Sequence, residues 1–163
     1  MFSLDEKTIR GSFVNASRKE ITDLSLPSSF DELHWDRLDY LGWRDRRIGR
    51  RAYIVVPVDG EPVGVLLKQA EASPRTRAQC SWCQDIHLPN DVNLYSARRA
   101  GAAGRKGDAL GSLVCADFEC SANVRKLPPM AYIGFDAEAA RLNRILVLRE
   151  RAAAFASAVL REG

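Results

Sequence analysis

Four cysteines fall in two close pairs, Cys80-Ser81-Trp82-Cys83 and Cys115-Ala116-Asp117-Phe118-Glu119-Cys120, with 31 residues between them. A two-residue gap lets a tight knuckle aim two thiolates at one point, and a second close pair can complete a tetrahedron. Zn2+ prefers that closed four-sulfur geometry in structural sites. Other uses of the cysteines fit less well. A thiol redox site would need only Cys80 and Cys83, and the motif does not open a helix inside a βαβ unit. A catalytic zinc keeps an open coordination position beside an acid/base residue, and no His-x-Glu signature is present. Four unrelated buried cysteines are the plain structural alternative. His87 follows Cys83 by four residues and could replace a sulfur, but the cysteines alone already supply four donors.

The surroundings of the pairs fit a treble-clef finger. The first pair precedes a hairpin formed by Asn93–Arg99 and Gly111–Val114, and the second ends a strand and enters a helical run, Cys120–Arg125. The connection over 100–110 is a loop carrying Gly101, Gly104 and Gly107. No Gly-Lys-Ser/Thr follows it, so a phosphate cradle is not indicated. Upstream, Ala52–Val58 and Val63–Leu67 flank Asp59-Gly60, a strong hairpin signal, with Pro57 at an edge or bulge. Leu41–Arg44 reads as a loop carrying Trp43.

Helices bracket this β-rich centre. Ser3-Leu4-Asp5-Glu6 has a capping-box pattern and opens a helix over about 4–18; a second short helix covers about 29–38. Asp136 is a good N-cap for a long helix over 137–161, with an apolar stripe of Leu142, Ile145, Leu146, Ala153, Ala156, Val159 and Leu160. The expected class is α+β: a small antiparallel sheet with a four-cysteine treble-clef finger, short N-terminal helices and a long C-terminal helix. Residues 1–40 form a helical segment packed on a main domain of 41–163.

Charge is unevenly distributed in the 163-residue chain of net charge +3. Residues 1–40 are net −3 and 41–106 net +6, while 107–163 balance. A concentrated basic block points to an acidic protein or nucleic acid as neighbour. The acidic start, Asp5-Glu6, does not resemble a secretory signal, and no apolar run reaches the roughly 18–20 residues of a membrane span. A cytoplasmic address without membrane contact is therefore expected. His34 has no catalytic partner in sequence, and with no triad or paired carboxylates the chain reads as a binding protein without a small-molecule substrate, not an enzyme.

Several stretches resemble the FusB/FBP family: Ser96-Ala97-Arg98-Arg99-Ala100-Gly101-Ala102-Ala103-Gly104-Arg105-Lys106-Gly107, Val114–Ser121, the Cys80–Cys83 knuckle, Leu41–Asp45 and Val56–Gly60. The resemblance spans roughly 41–125, and the helices at either end fit compact, actinobacterial-type members. It implies a protein that binds elongation factor G and helps it leave the ribosome when fusidic acid has locked it there, either for resistance or as a housekeeping task. It places the zinc ligands on Cys80, Cys83, Cys115 and Cys120. It also implies a factor-binding face of aromatic and lysine side chains, with Lys106 at the lysine position. The basic loop and the rings near the finger add to it, so the expected partner-binding residues are Trp82, Arg98, Arg99, Arg105, Lys106 and Phe118. Ala109 and Met130 stand where resistance proteins have rings. The alternative reading is a ribosome- or RNA-binding finger in which the same basic residues meet phosphates.

Overall fold

The computed structural model describes residues 1–71, 78–85 and 91–161. Five strands form one antiparallel sheet in the order in which they occur: β1 (Leu41–Arg44), β2 (Arg51–Val58), β3 (Glu61–Gln69), β4 (Val92–Arg98) and β5 (Ala109–Cys115). The β2–β3 hairpin closes through Asp59 and Gly60, whose φ angles of 50° and 87° are those of a turn that twists with the strands. Val58 and Glu61 close the turn, so the next pair, Pro57 and Pro62, is not hydrogen-bonded across the hairpin. Each proline turns its missing N–H outward. The pairing of β1 stops at Val55, so Pro57 lies where β2 has no second neighbour.

Pattern explains the burial of β2. Ala52, Ile54 and Val56 face one side and Tyr53 and Val55 the other, and all five are buried. A strand covered on both faces reads as a continuous apolar run. One cover is the long helix α5 (Ala137–Leu160), capped by Asp136, whose side chain accepts from the Ala139 N–H at 2.8 Å. Its buried residues are Ile145, Leu148, Ala152, Ala156 and Val159. Leu142, Leu146 and Leu160, expected in the same stripe, are instead exposed. Their positions lie to the side of the 3- and 4-residue steps that follow Ile145.

The N-terminal segment provides the other cover, and its form differs from expectation. The helix expected over 4–18 is two short helices, α1 (Glu6–Gly11) and α2 (Arg18–Thr22). Asp5, not Ser3, caps α1, and the capping box belongs to Ser17 and Glu20 at α2. Between them the chain is extended along β3: the Gly64 N–H donates to Ser12 O at 2.9 Å and Val14 N–H to Gly64 O at 3.0 Å. The helix expected over 29–38 is two 3-10 turns, Phe30–Glu32 and Trp35–Arg37. Leu41–Arg44, read as a loop, is β1; Trp43 lies beside Tyr53 and its indole N–H donates to Ser25 O at 2.8 Å. Leu4, Ile9 and Leu24 complete this second core with Leu41, Trp43, Tyr53 and Val55.

Strands β3 and β4 pair only at Lys68–Ser96 and Gln69–Tyr95. Beyond that they splay, and Asn15 fills the gap. Its amide donates to Leu66 O at 3.0 Å and Arg98 O at 2.9 Å, while its carbonyl accepts from Leu66 N–H at 2.8 Å. One side chain thus replaces missing ladder bonds on both strands. β4 and β5 pair along their full length, Val92–Cys115 to Arg98–Ala109. Their connection is not a plain loop: Gly101–Arg105 forms a short helix, α3. It sits tightly on the strand end, since a Cβ at Gly104 would lie 1.8 Å from Arg99 O.

Gly60→Val places a β-branched residue at positive φ and should cost about 1–3 kcal/mol of stability. Zinc content should be unchanged, because the turn is remote in the chain from the cysteines; thermal melting with metal analysis checks both.

Candidate metal centre

The two knuckles are held by backbone bonds before any metal is considered. The Gln84 N–H donates to Cys80 O at 3.0 Å, and the Ser81 N–H donates to Leu113 O at 2.8 Å, fixing the first knuckle to β5. Gln84 takes φ +52° to close that turn. The second knuckle leaves the end of β5, with the Phe118 N–H donating to Cys115 O at 3.0 Å, and Cys120 opens α4 (Cys120–Val124). Phe118 sits at φ +61°, a left-handed conformation that glycine would favour. Its ring is retained for packing: it lies 5.1 Å from the Tyr95 ring and directly over Gly42, where a Cβ would come within 2.6 Å of it.

All four cysteines are buried and unpaired, and their sulfurs lie within 4.8 Å of one another. Cys80 and Cys120 sulfurs are 3.6 Å apart, as are those of Cys83 and Cys115. Zn–S bonds of about 2.3 Å in a tetrahedron place sulfurs about 3.8 Å apart, so the donor set fits one structural Zn2+. Four sulfurs close the shell and leave no coordination position for substrate or water. When bound, the ion supplies a rigid cross-link between knuckles 31 residues apart in the chain.

The four thiols differ in acidity among themselves. Hydrogen bonds from the Cys115 and Cys120 thiols pull the Cys80 thiol far below its ordinary range. Hydrogen bonding to Cys115 and Cys80 pushes Cys120 well up. Two backbone or amide donors also address the sulfurs: the Trp82 N–H donates to Cys80 Sγ at 3.4 Å, and the Asn123 amide to Cys115 Sγ at 3.6 Å. Asn123 is fully enclosed and was not apparent from the motif. It stands three residues after Cys120 on α4, so helical spacing from a ligand is the signal that would have found it.

The expected partner-facing residues divide into two groups. Trp82 and Phe118 are in the core, only 3% and 7% exposed, and neither is available as an anchor. Trp82 packs edge-on to Tyr40 at 5.1 Å and beside Phe155 of α5 at 5.5 Å, so it fastens the first knuckle to the helix. Arg99 is also structural: its guanidinium lies 3.0 Å from Asp108 and donates to Ala158 O at 2.7 Å. Arg98, Arg105 and Lys106 are exposed, the last two at the end of α3. His87 lies outside the described residues.

Exposed apolar side chains appear elsewhere. Residues 129–134, between α4 and α5, are all exposed, with Met130 at 75%, Tyr132 at 66% and Ile133 at 100%. The run Leu127-Pro128-Pro129-Met130-Ala131-Tyr132-Ile133 was legible as apolar, but only burial tells an exposed loop from a core segment.

Beneath α4 lies a buried charge cluster. Asp39, wholly enclosed, accepts from Arg125 at 2.5 Å and from Arg149 of α5 at 2.8 Å, while its own N–H donates to Ser121 Oγ at 3.0 Å. The carboxylate ties the N-terminal segment, the metal-bearing helix and the terminal helix together.

The chain matches the family model described as the FBP C-terminal treble-clef zinc-finger over residues 8–159. It is also similar to a solved structure described as that of the fusidic acid resistance protein FusC, at 21% identity and a TM-score of 0.49, covering 65% of this chain and 47% of that one. The chain thus spans about half the length of that protein. No curated protein matches. No helix among the described residues is long and apolar enough to cross a membrane.

Cys115→Ser should lose zinc and much of the folded signal together, read by metal analysis and circular dichroism. Asn123→Leu keeps the side-chain volume but removes the N–H donor, and should weaken zinc affinity about 10–100-fold in a chelator competition. Because thiolates are the ligands, zinc should be released as pH falls and retained as it rises.

Proposed function

Because the chain belongs to the FBP C-terminal treble-clef zinc-finger family, we propose that it is a non-enzymatic binding module that docks on elongation factor G and promotes its release from the ribosome. The family match over 8–159, nearly the whole chain, is the observation that carries this reading. The closed sulfur shell supports it: the metal can fix surfaces in place but has no open position for catalysis. Whether release serves fusidic acid resistance or ordinary translation is a matter of the cell's circumstances, and the same docking serves either.

Two surfaces have the chemistry for docking. Arg105 and Lys106 stand exposed at the end of α3, and opposite charge on an acidic factor would speed encounter and orient it. Affinity comes from a few desolvated apolar groups. With Trp82 and Phe118 enclosed, that part falls to Met130, Tyr132 and Ile133. Burying a fully exposed isoleucine contributes about 1.5–3 kcal/mol. Its position on a loop between two helices held at the Asp39 cluster gives it a fixed base.

Titration calorimetry with purified elongation factor G tests the reading, with a stoichiometric complex as the expected result. Ile133→Asp with Met130→Asp should speed dissociation about tenfold or more, a loss of at least 1.4 kcal/mol, with zinc content and melting unchanged. Arg105→Glu with Lys106→Glu should slow association and flatten its salt dependence. Absence of any complex with the zinc-loaded protein would overturn the function.

A further inference from the structure

On the sheet face turned away from α5, the strands carry a row of cations. Arg51 of β2 stands directly opposite Lys68 of β3, and Lys68 opposite Ser96 of β4. Residues opposed in register project from the same face, and strands lie about 4.8 Å apart. Their neighbours Ala52, Leu67 and Ala97 point the other way, into the zinc-side core. Arg98, two residues beyond Ser96, returns to the basic face. Where β3 and β4 splay, this row opens into a cleft of about 520 Å³ lined by Arg50, Arg51, Lys68, Ser96 and Arg98, with Glu20 at its edge.

Four cations therefore meet one carboxylate within the cleft. Glu20 is divided between two of them, pairing with Arg98 at 3.5 Å and with Arg51 at 3.8 Å, and its other oxygen accepts from the Ser17 N–H at 2.8 Å. Arg50 pairs outward with Glu71 at 2.7 Å. The residues in register with Lys68, Arg51 and Ser96, carry no negative charge; Lys68 is exposed, and the Arg98 side chain is 58% exposed. Arg51, Lys68 and Arg98 stand on paired strands, so little backbone freedom is lost when a ligand orders them.

We infer that this cleft binds the phosphodiester backbone of single-stranded RNA. The charge runs along a cleft and not over a flat face, so an extended polyanion can follow it. Arginine forks suit phosphate oxygens, and the Ser96 hydroxyl can donate to another. Among the described residues no aromatic ring lines the cleft, so the contacts address the backbone and not the bases, and binding is independent of sequence. Among the described residues, none that lines the cleft belongs to the apolar loop or to α3, and the inference stands whether or not the assignment to elongation factor G does.

The test uses the zinc-loaded full chain and a fluorescein-labelled, mixed-sequence single-stranded RNA, followed by anisotropy between about 50 and 200 mM salt. Three or four neutralised phosphates predict a slope of about −2 to −3 in log K against log salt. Lys68→Glu with Arg98→Glu should weaken binding at least about tenfold and flatten the slope, with zinc content and melting unchanged. Lys68→Arg with Arg98→Lys keeps the charge and should retain binding. The inference is overturned if RNA does not bind, if the charge-reversed protein binds it as the parent does, or if polyglutamate of equal charge displaces it equally well. The last result would assign the cleft to an acidic polypeptide. Elongation factor G titrated into the single variant Lys68→Glu separates the two surfaces, since its binding should persist.

Discussion

Convergence of four sulfurs is the constraint on which the other arrangements depend. Each knuckle is a short turn, and one of them holds Phe118 at positive φ. A structural Zn2+ contributes roughly 10–16 kcal/mol of apparent binding free energy in finger peptides. That exceeds by a wide margin the roughly 1–3 kcal/mol cost of a non-glycine residue held in such a conformation. The second knuckle can therefore keep an aromatic ring where glycine would be easier, and the ring packs over Gly42 and against Tyr95. Metal binding and the packing of β1 on the finger are in this way one arrangement.

The terminal helix turns that local rigidity into a rigid domain. Arg144 reaches Asp85 beyond the first knuckle at 2.8 Å, Arg149 reaches Asp39, and the Ala100 N–H donates to Val159 O at 2.8 Å near the helix end. Trp82 packs against Phe155 between these points. The helix thus touches both ends of the finger and the N-terminal segment. Removal of either arginine from Asp39 would leave a buried carboxylate short of a partner, which is far more costly than loss of a surface pair.

How much of this was legible in the sequence depended on how local the determining physics was. The cysteine spacing, the Asp59-Gly60 turn and the Asp136 cap are short-range chemistry, and the structure has all three. The N-terminal segment misled because its periodicity looks helical, while Ser12–Asn15 gains more by pairing with β3. Trp43 looked like a loop residue because its partners, Tyr53 and Ser25, lie in other elements. Trp82 and Phe118 looked available to a partner because burial of a ring near a knuckle is set by Tyr40, Tyr95 and Phe155, far away in sequence. Asn15 bears no local mark of its role at all: its value comes from a gap between two strands that only the assembled sheet creates.

That gap has a consequence for how the molecule opens. The three-stranded half and the finger hairpin share a two-residue ladder, so amide protection cannot propagate evenly across the sheet. β2 and β3, paired over eight positions and covered on both faces, form one exchange unit, and β4 and β5, paired over seven, form another. The Asn15 carboxamide bridges these units through its bonds to Leu66 and Arg98. Separation of the two units would break the Asn15 bridge and leave the register of each hairpin intact.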